Sequence, residues 1–397
     1  MCSVVSRAMK KQHFNYITKF FADQPLPPKP HIAVLSSNKV GNFVVITPLL
    51  RGLKEKYSDC ILDFFGSETT KDFEVYCPYI DWRFSLHDDR HSNVLDALRK
   101  TILKRQEIAG DYALLINCDG FSEINLVCAT EIRTYYIAGN VLLPDFFYSQ
   151  NSNEYSIQFL LKDRDWDSPA FLQKYRDVLD SNYISEIFCR ICFVDNDFFK
   201  LEIPWHEASF SVPDILIHVT TTRPAKMWPV DYWKEVIWWC EKQKFSIGLI
   251  GSSSQIQQTL YNSDNIESNL LKTTTLIDLR GKTTLTELAG ALRRAKACIS
   301  IDSGPLHIAA AVDCPTIAIF GNDENGDGAS PMRLWAPRQA NIRLALSDFT
   351  CNACRENYFK NHSCFFENHP CMLHVYPKTV INHLENLLGI QCNSTSS

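Results

Sequence analysis

No stretch of this 397-residue sequence approaches the run of roughly 20 apolar residues that crosses a bilayer. Residues Met1 to Phe21 lack the apolar core and small-residue cleavage site of a secretory leader, so a cytoplasmic chain is expected. An excess of one charge is missing too: 45 Asp and Glu against 40 Lys and Arg give a formal net charge of −5, which leaves no global attraction for nucleic acid. There is no repeat of solenoid period, no low-complexity tract beyond one proline cluster, and no Gly-x-Gly-x-x-Gly after a predicted strand, which weighs against an NAD-dependent oxidoreductase. What is present is a hydrophobic fraction of 45%, enough for packed cores in two to three domains and incompatible with a disordered chain. Cysteine is abundant, but its 15 residues are odd in number and scattered through apolar segments, unlike a secreted disulfide framework. Most are expected to be reduced, buried, small hydrophobes.

Residues 1–30 read as an N-terminal appendage, basic at Arg7, Lys10, Lys11 and Lys19 and proline-rich from Pro25 to Pro30. Phe14, Ile17 and Phe21 are spaced for a short amphipathic helix, either packed on the protein or touching the anionic face of the inner membrane as a peripheral contact. From His31 the pattern becomes regular. His31 to Ser37 predicts a strand, Phe43 to Tyr57 a helix containing Pro48, Ile61 to Gly66 a strand, Asn93 to Ile108 a helix, and Tyr112 to Asn117 a strand. The second half repeats the scheme with strands at Asp214 to Val219, Phe245 to Ile250, Cys298 to Ile301 and Thr316 to Phe320, and helices at Asp231 to Gln243, Leu285 to Lys296, Pro305 to Val312 and Pro377 to Leu388. Strands separated by helix-length connections imply parallel sheets covered on both faces. The expected architecture is α/β, with two Rossmann-like domains over 31–205 and 206–397 facing each other across a cleft lined by the loops at the carboxyl ends of the strands.

The most informative segment is Ile299 to Gly321, where a strand ends at Asp302-Ser303-Gly304-Pro305-Leu306-His307 and an Ala-rich helix follows. Gly304 permits close approach of a ligand and Pro305 suits the first turn, so the helix can direct free N–H groups and its positive end at a diphosphate. These residues, with Leu279-Arg280-Gly281-Lys282-Thr283, the loop Thr220 to Pro229 (TTTRPAKMWP) and the opening unit VGNFVVITPLLRGL, resemble the glycosyltransferase family 9 heptosyltransferases.

The resemblance implies a GT-B fold and an inverting, metal-independent transferase that moves a heptose from ADP-heptose to a lipopolysaccharide core or related glycan. The implied partners are a nucleotide-sugar donor and a glycolipid or glycan acceptor, with no cofactor for catalysis. Thr220, Thr221, Lys226, Asp302, Ser303, Gly304 and His307 fall at the positions that hold the donor. Lys226 and the helix dipole would stabilise the leaving diphosphate, and Trp228 is expected to pack rather than stack on a base. Where the family carries Gly-Asp in its first loop, this sequence has Gly41-Asn42, and an amide cannot take the proton of an acceptor hydroxyl. Three explanations stand open: another carboxylate serves, with Asp119 the best placed and a loop-capping role its alternative; Asn42 only orients the acceptor; or the chain is a poor catalyst. Gln255 is a second departure, at a place where an acid often meets the ribose. Two further readings stay open: another nucleotide sugar or a protein or polysaccharide acceptor, and a base-deficient nucleotide-sugar-binding homologue.

Cys351-x2-Cys354-x9-Cys364-x6-Cys371 forms a third constellation, within a Cys-rich element at 351–371. Four thiols at this spacing suit a structural zinc or iron site; reduced thiols in a packed loop and disulfides are the alternatives. Cys189 and Cys192 lie in an apolar run and are expected in the core.

Overall fold

The structure, a computed structural model, describes residues 19–87, 94–119, 122–141, 157–253 and 264–390. Arg7, Lys10, Lys11, Phe14, Ile17, Gly120 and Gln255 lie outside the described residues. Two six-stranded sheets, parallel throughout, form the two halves. The first contains β1 (Lys19–Phe20), β2 (His31–Leu35), β3 (Ile61–Ser67), β4 (Trp82–His87), β5 (Tyr112–Asn117) and β6 (Thr134–Gly139), in the order β1-β6-β5-β2-β3-β4. The second contains β7 (Ile215–His218), β8 (Ile247–Leu249), β9 (Ile277–Asp278), β10 (Ala297–Ile301), β11 (Thr316–Ile319) and β12 (Ile342–Ala345), in the order β12-β11-β10-β7-β8-β9. Chain order therefore reverses between β2 and β5 in one sheet and between β7 and β10 in the other, the two places where ligands of such sheets sit. Lys19 and Phe20, within the stretch read as an appendage, pair with Tyr136 and Ile137 as the edge strand of the first sheet, and Phe21 is buried.

Alternate side chains along the strands enter different apolar layers. Ile32 and Val34 of β2, Leu216 of β7 and Cys298 of β10 share one core cluster that spans both halves. Ala33 and Leu35 face a cluster confined to the first half, and Ile215, Ile217, Ile299 and Ile301 one confined to the second. Period-two burial on both faces explains why these strands read as unbroken apolar runs.

The shared cluster is built largely from helices. Val40–Lys56 is buried along its whole middle, Phe43 to Leu53, and packs on Gly304–Ala311 from the other half. Pro48 lies well inside this helix, and the Val44 carbonyl that its missing N–H would have bonded accepts the Thr47 hydroxyl at 2.8 Å. The connection between the halves runs back along the same helix. Arg51 donates to the Asp197 and Lys200 carbonyls and to Glu202 at 2.7, 2.9 and 2.7 Å, and Asn196 donates to the Pro48 carbonyl at 2.8 Å. The final helix, Pro377–Leu388, covers β10, β11 and β12 beside Val230–Lys242. Among the described residues no helix is long and apolar enough to cross a membrane.

Candidate active site

Four loops leave the carboxyl ends of the strands at the two reversal points, and together they carry every residue expected in the cleft. Asn42 follows β2, Asp119 follows β5, Thr220, Thr221 and Lys226 follow β7, and Asp302 to His307 follow β10. The two central loops of the second half meet directly. Lys226 donates its ammonium to the Asp302 carboxylate at 3.0 Å and to the Asp302 carbonyl at 2.8 Å. Burial pulls Lys226 below the usual lysine range, with Asp302 opposing that pull. Burial alone would raise Asp302, but the neighbouring Lys226 charge and the His307 ring hold it below the usual carboxylate range. Two of the three ammonium hydrogens are thus engaged, and one is left for a ligand.

Beside this pair stands the helix Gly304–Ala311, whose first turn contains no acidic residue and whose N-cap, Ser303, supplies no capping bond. The Ser303 hydroxyl is held instead by His218 Nδ1 at 2.9 Å. The N–H groups at the helix start thus lack the usual side-chain cap, the arrangement that receives phosphate oxygens. Thr220 and Thr221 are buried, and the Thr220 hydroxyl donates to Glu267 Oε1 at 3.2 Å. Burial raises the Glu267 carboxyl, against the pull of Arg280, which bonds it at 2.6 Å. Sequence reasoning passed over Glu267 because nothing local marks it; its contacts with Thr220 and Arg280 exist only in the fold.

The helix start of the second half abuts that of the first. A Cβ on Gly304 would stand 3.2 Å from Val40 Cβ, and one on Gly41 would stand 2.9 Å from His307 Cδ2, so two glycines permit this approach. His307 is 3% exposed, its Nδ1 has no hydrogen-bond partner among the described residues, and burial pulls its pKa down to about 4 while Asp302 works the other way. Asn42, half-buried, lies one residue beyond Gly41 in the first turn of Val40–Lys56. Lys39, exposed at the N-cap of that helix, is close enough for its charge to act on Lys226, as does that of Arg223. Asp119 accepts the Ser122 N–H at 3.2 Å on its carboxylate and donates its own N–H to Asn117 Oδ1 at 3.1 Å, shaping the turn into Glu123–Glu131.

Similarity to known proteins follows the same residues. The sequence model described as "Glycosyltransferase family 9 (heptosyltransferase)" matches residues 195–362, from the interdomain connection into the Cys-rich element. Over these residues the chain is similar to glycosyltransferase family 9. Lipopolysaccharide heptosyltransferase 1 of Pseudomonas aeruginosa is 28% identical over 148 residues, 37% of this chain and 38% of that protein. Its counterpart in Escherichia coli K12 is 28% identical over 137 residues, 33% of this chain and 40% of that protein. The chain thus spans about two fifths of the length of the curated relatives it matches. Among solved structures, a family 9 glycosyltransferase from Veillonella parvula superposes with a TM-score of 0.68 at 18% identity, covering 93% of this chain and all of that one. The E. coli ADP-heptose lipopolysaccharide heptosyltransferase II gives 0.59 at 16%, covering 90% and 98%. An iron-containing dodecameric glycosyltransferase from enterotoxigenic E. coli gives 0.54 at 14%, covering 92% and 77%. The fold of the chain is GT-B.

Three other expectations meet the structure here. Trp228 is fully buried and donates its indole N–H to the Val375 carbonyl at 2.8 Å, so it packs. Cys189 and Cys192 lie in the shared core. Cys351, Cys354, Cys364 and Cys371 come into one neighbourhood: Cys371 is pushed up to about 12, chiefly by burial and further by the other three. Among the described residues no group of three or more His, Cys, Asp or Glu side chains is arranged to hold a metal ion. Cys371 belongs to the apolar cluster around Trp228 and Trp233 and Cys354 is buried, while Cys351 and Cys364 remain partly exposed.

Proposed function

We propose that this chain is an inverting glycosyltransferase that moves a sugar from a nucleoside diphosphate, with ADP-heptose the leading donor, to the hydroxyl of a lipopolysaccharide core or related glycan. The observation that carries the reading is the Lys226–Asp302 pair beside the uncapped start of Gly304–Ala311. In such a transfer the acceptor oxygen attacks the anomeric carbon while the diphosphate departs with the electron pair. The departing group needs fixed positive potential, and it finds here the remaining hydrogen of Lys226, the helix N-terminus, and the charges of Lys39 and Arg223. Thr220, Thr221 and Ser303 complete the donor side, while Asn42 and Asp119 stand on the half that would hold the acceptor. A glycolipid acceptor would bring the protein to a membrane surface without requiring a spanning segment.

Asn42 supports a second reading, a nucleotide-sugar-binding homologue without turnover, because an amide at this position takes no proton. One pair of measurements separates the two. Calorimetry with ADP reads binding, and product analysis with ADP-heptose and truncated lipopolysaccharide acceptors reads transfer. ADP binding together with a new glycosidic bond supports the transferase, and ADP binding with no transfer to any acceptor supports the homologue. Absence of ADP binding defeats both.

A further inference from the structure

A hydroxyl that becomes a glycosidic oxygen must give up its proton, and most polar groups in the cleft are already committed. Lys226 and Asp302 hold each other, Ser303 is tied to His218, Thr220 to Glu267, and Asp119 accepts a backbone N–H. Asn42 carries an amide. His307 differs: it is 3% exposed, neither ring nitrogen is hydrogen-bonded among the described residues, and the ring lies where the two halves touch. Its Nε2 is on the edge turned to Gly41, 3.5 Å from where a Cβ on that glycine would stand, while Nδ1 is sealed inside. The imidazole therefore reaches from the donor half to the first turn of the acceptor half, next to Asn42.

We infer that His307 is the catalytic base of the transfer, its Nε2 taking the proton of the attacking hydroxyl. The inference rests on the glycosyltransferase reading above and goes beyond donor binding. The neutral ring carries one hydrogen, and with it on Nδ1 the Nε2 lone pair is free to accept. As the acceptor O–H proton passes to Nε2, the oxygen forms its bond to the anomeric carbon, the bond from that carbon to the phosphate oxygen breaks, and the diphosphate leaves with the electron pair. The imidazolium that results is compensated by Asp302, whose charge already acts on this ring.

The charged groups acting on His307 are Asp302 at the end of β10 and Lys226 from the β7 loop. The Val40–Lys56 helix contributes Gly41 and no acid in its first turn, and Met332–Trp335 contributes the Trp335 ring at 6.2 Å. Burial dominates this balance and pulls the ring to about 4. That is the basicity of a carboxylate, so the histidine is uncharged and able to accept at neutral pH while matching the strength of an ordinary carboxylate base.

The test uses the full-length chain with the donor and acceptor it turns over. His307→Gln is expected to lower kcat by at least ~100-fold, the scale of general-base catalysis, with the ADP dissociation constant changed by less than about threefold. Asn42→Asp added to that variant is expected to restore at least ~10-fold, because a carboxylate is then supplied in the helix turn whose Gly41 the ring faces. In the unmodified chain, kcat/KM should fall on the acid side with an apparent pKa near 4 that moves to lower pH on warming, as an imidazole does and a carboxylate hardly does. This profile decides the matter should His307→Gln not fold. An unchanged kcat, a loss residing wholly in ADP affinity, or an acid limb that ignores temperature overturns the base assignment alone. Absence of any transfer by the unmodified chain overturns the glycosyltransferase reading and this inference with it.

Discussion

Lys226 bonds Asp302 twice, through the carboxylate at 3.0 Å and the carbonyl at 2.8 Å, so the half-buried cation of the cleft is aimed by the strand end beside it. Removing either partner leaves the other charge uncompensated in a largely buried place. Lys226→Ala should lower kcat/KM for the nucleotide sugar at least ~10-fold, about 1.4 kcal/mol of transition-state stabilisation. Asp302→Ala should also destabilise the fold, by about 3 to 5 kcal/mol at most, as expected when a buried pair is broken. Denaturant titration of both variants checks the second figure, and an Asp302→Ala protein as stable as the parent would remove the structural role of the pair.

Gly41 has no room for a side chain, since a methyl there would press to 2.9 Å from His307 Cδ2. Gly41→Ala should reduce turnover about tenfold or more, because an angstrom-scale shift of a reacting group costs that much. Its effect on thermal stability should be smaller than that of Gly41→Val. Steady-state kinetics and melting curves on the two variants test the order.

Two histidines and one aspartate set opposite pH trends in stability. His218 and His307 are each held near 4 by burial, below the value of about 6.5 in an unfolded chain. The unfolded state therefore binds more protons between pH 6.5 and 4, and stability is lost as pH falls through that window, by up to about 3 kcal/mol for each ring. Asp167 is 4% exposed, and burial pushes its carboxyl up to about 8 despite Arg333 and Arg355. The folded state binds the extra proton here, so this contribution is lost as pH rises from about 4 to 8. Asp167→Asn should match the parent near pH 4 and exceed it increasingly toward pH 8; equal melting temperatures across that range would contradict the burial effect.

Of the described thiols, only Cys351 and Cys364 are partly exposed. A thiol reagent should modify these two first in the folded protein, and the buried cysteines should react only on unfolding. Mass spectrometry after brief labelling reads the order. Stoichiometric zinc or iron in the purified protein, with all four thiols of the element protected, would mean that Cys354 and Cys371 turn out of their packed positions to meet an ion.

Much of the fold was legible because its strands are buried on both faces. HIAVL, YALLIN and TIAI stand out as apolar runs, and the helices between them carry turns and caps at readable places. β4 escaped notice because Trp82, Arg83 and Phe84 are only partly buried, so WRFSLH mixes polar and apolar residues, and β1 is too short at two residues for any pattern. In the site, the segment around Asp302 and the loop carrying Lys226 were identifiable because a strand end, a glycine and a proline mark where a helix begins. Their mutual pairing across 76 residues was not, nor was the seat of His307 against Gly41, since both depend on how two halves dock. For the Cys-rich element spacing was visible and burial was not; the apolar cluster that claims Cys371 is assembled from distant segments.

The abutting starts of Val40–Lys56 and Gly304–Ala311 bring two positive helix ends together, one from each half, with Lys39 adding to the charge. Like potentials facing each other oppose, in part, the apolar core that the two halves share. A dianion held beside them would attract both ends at once and offset that opposition. Occupancy and domain cohesion then become two sides of one equilibrium: whatever tightens the grip on the anion also tightens the joint, by the same free energy in either direction.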